Sequence, residues 1–87
     1  MYLHLGNGVG VRKGEVLGVF DLDNSSSSPV TRRYLASAEK EGAVVNAADS
    51  ELPKSFVVCC GAKGQRVYLS QLNSSTLLKR SQSGELE

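Results

Sequence analysis

Five apolar side chains in unbroken succession, Phe56-Val57-Val58-Cys59-Cys60, place the tightest constraint on what this chain can fold into. A strand alternates its side chains between two faces, so a strand with one wet face reads apolar-polar, and a continuous run reads as covered on both. Residues 55–60 therefore take the centre of a sheet. Gly61-Ala62-Lys63-Gly64 follows as a four-residue loop, and residues 65–70 return as the antiparallel arm of a β-hairpin.

The opening of the chain is also β-type. Tyr2-Leu3-His4-Leu5 alternates, with Leu3 and Leu5 on one face, and Gly6-Asn7-Gly8 supplies a strong turn signal. Val9-Gly10-Val11 and Val16-Leu17-Gly18-Val19-Phe20 read as the next two strands, separated by the polar turn Arg12-Lys13-Gly14-Glu15. Glycines inside these strands mark bulges or close backbone approach. Residues 21–28, with four consecutive serines, form a connecting loop, because such side chains bond locally to the backbone and give a core nothing.

Ser28-Pro29 starts the main helix, over about residues 28–41: Ser28 is the N-cap, Pro29 fits the first helical position, and Gly42 is the C-terminal stop. Val30, Tyr34, Leu35 and Ala38 make its apolar stripe, with Arg32, Arg33, Ser37, Lys40 and Glu41 largely opposite. Residues 43–47 follow as an edge strand, then a polar loop over 49–53. Asn73 or Ser74 caps a short final helix over about 73–80 carrying Leu77 and Leu78. The expectation is an α+β domain over residues 1–82, with a small, mostly antiparallel sheet, one main helix and a short C-terminal helix. Residues 83–87 are expected as a disordered tail or expression remnant.

A chain of 87 residues buries only roughly 60 to 65% of its unfolded surface, so oligomerisation would add apolar burial that one subunit cannot supply. No apolar run approaches the ~18 residues of a membrane span, and no leader pattern opens the chain, so a cytoplasmic protein away from membranes is expected. Cys59 and Cys60 are adjacent, which sends their side chains to opposite faces; both are expected reduced, one of them in the core.

Catalytic patterns are weak. His4 is the single histidine and reads as structural, since no nucleophile can be placed beside it. The acids Asp21, Asp23, Asp49 and Glu51 lie in loops without metal-cage spacing, and Gly6-Asn7-Gly8-Val9-Gly10 lacks the lysine-serine ending and following helix of a phosphate loop. Neither an enzyme nor a cofactor is expected.

Ten Lys and Arg against nine Asp and Glu leave a net charge of +1, so a nucleic-acid partner requires cations gathered on one face. The candidates for contact with double-stranded DNA are Arg12 and Lys13 in the turn, Arg32 and Arg33 on the helix, and Lys54 before the central strand. Lys63 and Arg66 at the hairpin tip, and Lys79 and Arg80 in the last helix, are further cations.

Order and spacing add a resemblance. Met1-Tyr2-Leu3-His4-Leu5-Gly6, Val19-Phe20-Asp21, Ser28-Pro29, Pro53-Lys54-Ser55-Phe56-Val57-Val58, Tyr68-Leu69-Ser70 and Ser74-Ser75-Thr76-Leu77-Leu78-Lys79-Arg80 together resemble the RemA/RemB-like extracellular matrix regulatory proteins of bacteria. The likeness is closest to the RemB branch and runs from Met1 to about Gln82. It implies a DNA-binding transcriptional regulator of biofilm-matrix genes, acting as a ring-shaped homo-oligomer, alone or with a RemA-type paralogue. The family's DNA-holding arginines do not transfer: Glu15 stands opposite the first, and Leu52-Pro53 opposite the following pair. The other reading is an oligomeric protein-interaction module without direct DNA binding, using open strand edges such as residues 43–47.

Overall fold

The computed structural model describes residues 2–22, 29–62 and 64–83. Along the chain come β1 (Tyr2–Gly6), β2 (Val9–Arg12), a 3-10 turn (Lys13–Glu15), β3 (Val16–Asp21), α1 (Pro29–Lys40), β4 (Val44–Asn46), β5 (Ser55–Gly61), β6 (Gly64–Ser70) and α2 (Ser74–Ser83). The architecture is α+β, with one main helix and a shorter C-terminal one. The strands form two sheets rather than one: β1 and β2 stand as a separate hairpin, and the other four are ordered β3-β5-β6-β4. Pairing is antiparallel except between β4 and β6, which run parallel.

β5 lies inside the sheet and is buried on both faces. Val57 and Cys59 point to one side, where they meet Leu3, Leu5 and Val11 of the hairpin, Ala47, and Leu77 of α2. Phe56 and Val58 point to the other, where they meet Val67 and Ala38 with Tyr34, Leu35 and Val44. The hairpin and α2 thus cover one face, and α1 covers part of the other. The hairpin forms its own sheet because its apolar side chains turn onto this face as a second layer.

Turn chemistry matches the residues. Asn7 and Gly8 have φ of 53° and 77°, both in the left-handed region, the two-residue turn that an Asn-Gly pair favours. Asn7 Nδ2 then donates to the Ala47 carbonyl at 2.6 Å and to Gln71 Oε1 at 3.0 Å, clipping the hairpin tip to the main sheet. Helix α1 ends in a Schellman motif: Gly42 has φ 74°, its N–H donates to Glu39, and the Ala43 N–H reaches back to Ala38 at 2.9 Å. The Leu77 N–H donates to the Asn73 carbonyl, which makes Asn73 the cap residue of α2.

Several boundaries differ from the sequence expectation. β5 and β6 pair as far as Gly61 opposite Gly64, so the loop shrinks from four residues to Ala62 and Lys63, the latter outside the described residues. α2 continues past residue 80 to Ser83. Val30, placed in the apolar stripe, is 73% exposed, because α1 lies over the β6/β4 half of the sheet and its first turn overhangs the rest. The Ser28 cap, most of the serine loop and residues 84–87 lie outside the described residues.

Two buried serines fasten the layers. Ser55 Oγ donates to the Leu72 carbonyl at 2.7 Å, and Ser70 Oγ donates to the Leu5 carbonyl at 2.7 Å while accepting from the Leu72 N–H. Ser70→Ala leaves the Leu5 carbonyl and the Leu72 N–H short of a partner in a dry site. A loss of about 1–3 kcal/mol is expected, read as a lower urea midpoint with unchanged slope.

Candidate nucleic-acid interface

Arg12 ends β2 directly across from Tyr2, its cross-strand partner. A hydrogen bond with the Tyr2 side chain, followed by attraction to Tyr2 and Glu15, raises the guanidinium pKa further, so Arg12 is a fixed cation. Lys13 opens the 3-10 turn, and its Nζ donates to the Arg80 carbonyl of α2 at 3.3 Å. Arg80 Nη1 in turn donates to the His4 carbonyl at 3.4 Å. These bonds tie β1, the turn and the end of α2 into one surface. Leu77 anchors α2 in the core with no exposure, which leaves Lys79 and Arg80 outward.

The remaining candidates go elsewhere. Arg32 and Arg33 are exposed on α1, across the sheet from the hairpin and α2. Lys54 precedes β5, with its carbonyl accepting from Leu22 and its N–H donating to Ser70, whereas the turn holding Lys13 packs by the Gly61 end of that strand. About 20 Å of strand separates the two ends. Lys13, next to Arg12 in the chain, therefore joins Arg80, and neither is grouped with Arg32, Arg33 or Lys54.

An acid sits within this cationic surface. A Cβ added at Gly61 would lie 3.2 Å from Glu15 Oε1, so the missing side chain lets the carboxylate rest against the strand. Glu15 lines a small cleft with Cys59, Arg66 and Tyr68. Cys59 is buried and Cys60 exposed, both as free thiols. Burial, with a contribution from Glu15, pushes the Cys59 thiol up to about 11. His4, read as structural, has an exposed side chain on the outer face of the hairpin. Among the described residues, no three of His, Cys, Asp and Glu gather as a metal site.

Comparison of the sequence with known proteins gives a family. Residues 2–80 fit the model of a family described as extracellular matrix regulatory protein A-like. The chain belongs to this family. It is 37% identical over 82 residues to extracellular matrix regulatory protein B of Bacillus subtilis (strain 168), covering 94% of this chain and 91% of that relative. The resemblance drawn from the sequence thus holds across nearly the whole chain. The family is a regulatory one, not a known class of enzyme. No helix among the described residues is long and apolar enough to cross a membrane.

Two features escaped the sequence. The contact between Lys13 and Arg80 joins residues 67 apart, a separation no local pattern reveals. The second is an apolar groove lined by Leu17, Phe20, Val30, Tyr34, Phe56 and Val58. Strict alternation sends Leu17 and Phe20 to opposite faces, but the register slips between Val16 and Gly18, bringing both to the α1 side. Gly18, within the strand, was the available signal.

The two thiols give a pH prediction. The folded Cys59 pKa of about 11 lies above the 9.0 of a free thiol, so the native state holds more protons than the unfolded chain in that window. The stability contributed is complete below pH 9.0 and falls as pH rises through about 11. Urea midpoints should drop across this range, less so in Cys59→Ala, while a thiol reagent should label native Cys60 quickly and Cys59 only on unfolding.

Proposed function

We propose that this chain is a cytoplasmic DNA-binding transcriptional regulator of extracellular-matrix and biofilm genes, acting as a ring-type homo-oligomer that holds double-stranded DNA by repeated phosphate contacts. Membership of the regulatory family supports the regulator role. The observation that carries the DNA reading is the bond from Lys13 to Arg80, which gathers cations of the turn and the last helix on one surface. Arg12 and Lys13 are the primary contacts, and Lys79 and Arg80 extend them.

A subunit with a net charge of +1 gives weak attraction alone. Copies of the same patch around an assembly act at high effective concentration, so weak contacts add to firm binding. Arg32, Arg33 and Lys54 lie on other surfaces and serve only DNA that passes beyond one patch. Preference among sequences then follows duplex shape and bendability rather than base-edge contacts.

Fluorescence anisotropy of a labelled duplex across a salt series tests this reading. Each phosphate engaged contributes roughly 0.9 to the slope of log affinity against log salt. Arg12→Ala with Lys13→Ala should flatten the slope by about 1.8 per subunit in contact, without altering assembly. Glu15→Arg should steepen it, because it replaces the acid inside the patch by a cation. Absence of binding at low salt would favour the other reading, an oligomeric interaction module without direct DNA contact, which the apolar groove beside β3 supports.

A further inference from the structure

Tyr2 turns an aromatic ring to solvent in a chain that has only three Tyr, two Phe and no Trp. Alternation along β1 buries Leu3 and Leu5 completely and sends Tyr2, 48% exposed, to the outer face of the hairpin. Arg12 stands directly across from it on β2, and the guanidinium hydrogen-bonds to the Tyr2 side chain. The ring is thereby held beside a cation. Tyr2 and Arg12 line an open cleft of about 510 Å³ together with Gly14 and Glu15 of the 3-10 turn, a size within the range of small-ligand sites. Gly14 keeps the cleft open, since a Cβ placed there would meet nothing within 4 Å.

We propose that this cleft takes an unpaired nucleobase, stacked on Tyr2 with the phosphate of the same nucleotide on Arg12. The inference deepens the DNA reading and rests on its Arg12 contact. Paired bases are stacked on both faces inside a duplex, so an exposed ring beside a phosphate-holding cation adds little to duplex binding. An unpaired base offers a free face, and a stacking aromatic next to cations is the arrangement that holds single strands. Glu15 decides which part of the nucleotide enters: an acid lining the cleft repels a phosphate and leaves the uncharged base as the occupant. The cations set where the strand runs. Lys13 follows Arg12, and its bond to the Arg80 carbonyl carries the positive surface on to α2, where neighbouring phosphates find partners. A single-stranded stretch of DNA and a free nucleotide present the same chemistry to this cleft.

The test titrates the full chain at low salt with a labelled single strand of mixed sequence, the duplex of that sequence, and adenosine monophosphate. Anisotropy reads affinity for the two DNA forms. Tyrosine emission, undisturbed in a chain without Trp, reads stacking, because a base lying on Tyr2 quenches it. Tyr2→Ala removes the platform. Gly14→Leu fills the cleft without changing charge, at a position with room for a side chain and no left-handed backbone. Each should weaken single-strand binding by about tenfold or more and leave duplex affinity and its salt slope within about twofold. Tyr2→Phe should keep the affinity, since a phenyl ring stacks as well, and abolish the quenching. Quenching by the single strand alone assigns the cleft to DNA; quenching by the mononucleotide, with no binding of either DNA form, assigns it to a free nucleotide and overturns the DNA reading. Absence of quenching by any of the three overturns the cleft, and duplex binding that persists then leaves the DNA reading standing. Equal losses for single strand and duplex in Tyr2→Ala and Gly14→Leu overturn the cleft as well.

Discussion

Burial of β5 on both faces is the constraint on which the rest of the molecule depends. Val57 and Cys59 need apolar cover on one side, and Phe56 and Val58 need it on the other. On the first side the β1–β2 hairpin lies across the strand, and α2 closes the layer through Leu77. The hydroxyls of Ser55 and Ser70, at the start of β5 and the end of β6, turn the rim of that layer into hydrogen bonds. They occupy positions where the backbone of β1 and of the turn after β6 presents carbonyls to the core. On the second side a single helix does the work, and its cover stops over β6. The asymmetry between the two faces explains why Leu17, Phe20 and Val30 remain exposed in a chain with few large side chains to spare.

Much of this was legible wherever local chemistry decides the structure. The run from Phe56 to Cys60 marked an interior strand, Asn7-Gly8 marked a turn with two left-handed residues, and Gly42 marked the end of α1; each has that role. What the sequence did not display were relations between elements. Nothing local says that β1 and β2 leave the main sheet, since their alternation with Leu3 and Leu5 inward is the same in one sheet or two. Nothing local gives the parallel pairing of β4 with β6, which depends on the route of the chain through α1. The slip between Val16 and Gly18 reverses the expected face of Leu17, and with it a flank of the groove.

The candidate site follows the same division. Residue types were readable, and so was the scarcity of net charge. Which cations become neighbours was not, because closure of a layer brings Lys13 against Arg80 of α2, while Arg12 beside it bonds to Tyr2. The same closure sets Glu15 against Gly61, where its charge reaches both Arg12 and Cys59. Glu15 is the position that stands opposite a DNA-holding arginine in the family resemblance. In the proposed DNA reading, its half-buried carboxylate repels a phosphate backbone, and the attraction is left to the cations around it.

The two faces of the main sheet divide the proposed roles between them. The cations of the turn and the last helix belong to the hairpin side, whereas the groove and Arg33 belong to the α1 side. The phosphate contacts proposed for Arg12, Lys13 and Arg80 therefore leave the apolar groove uncovered, and for a chain of net charge +1 the proposed hold on a polyanion grows with the number of copies brought alongside.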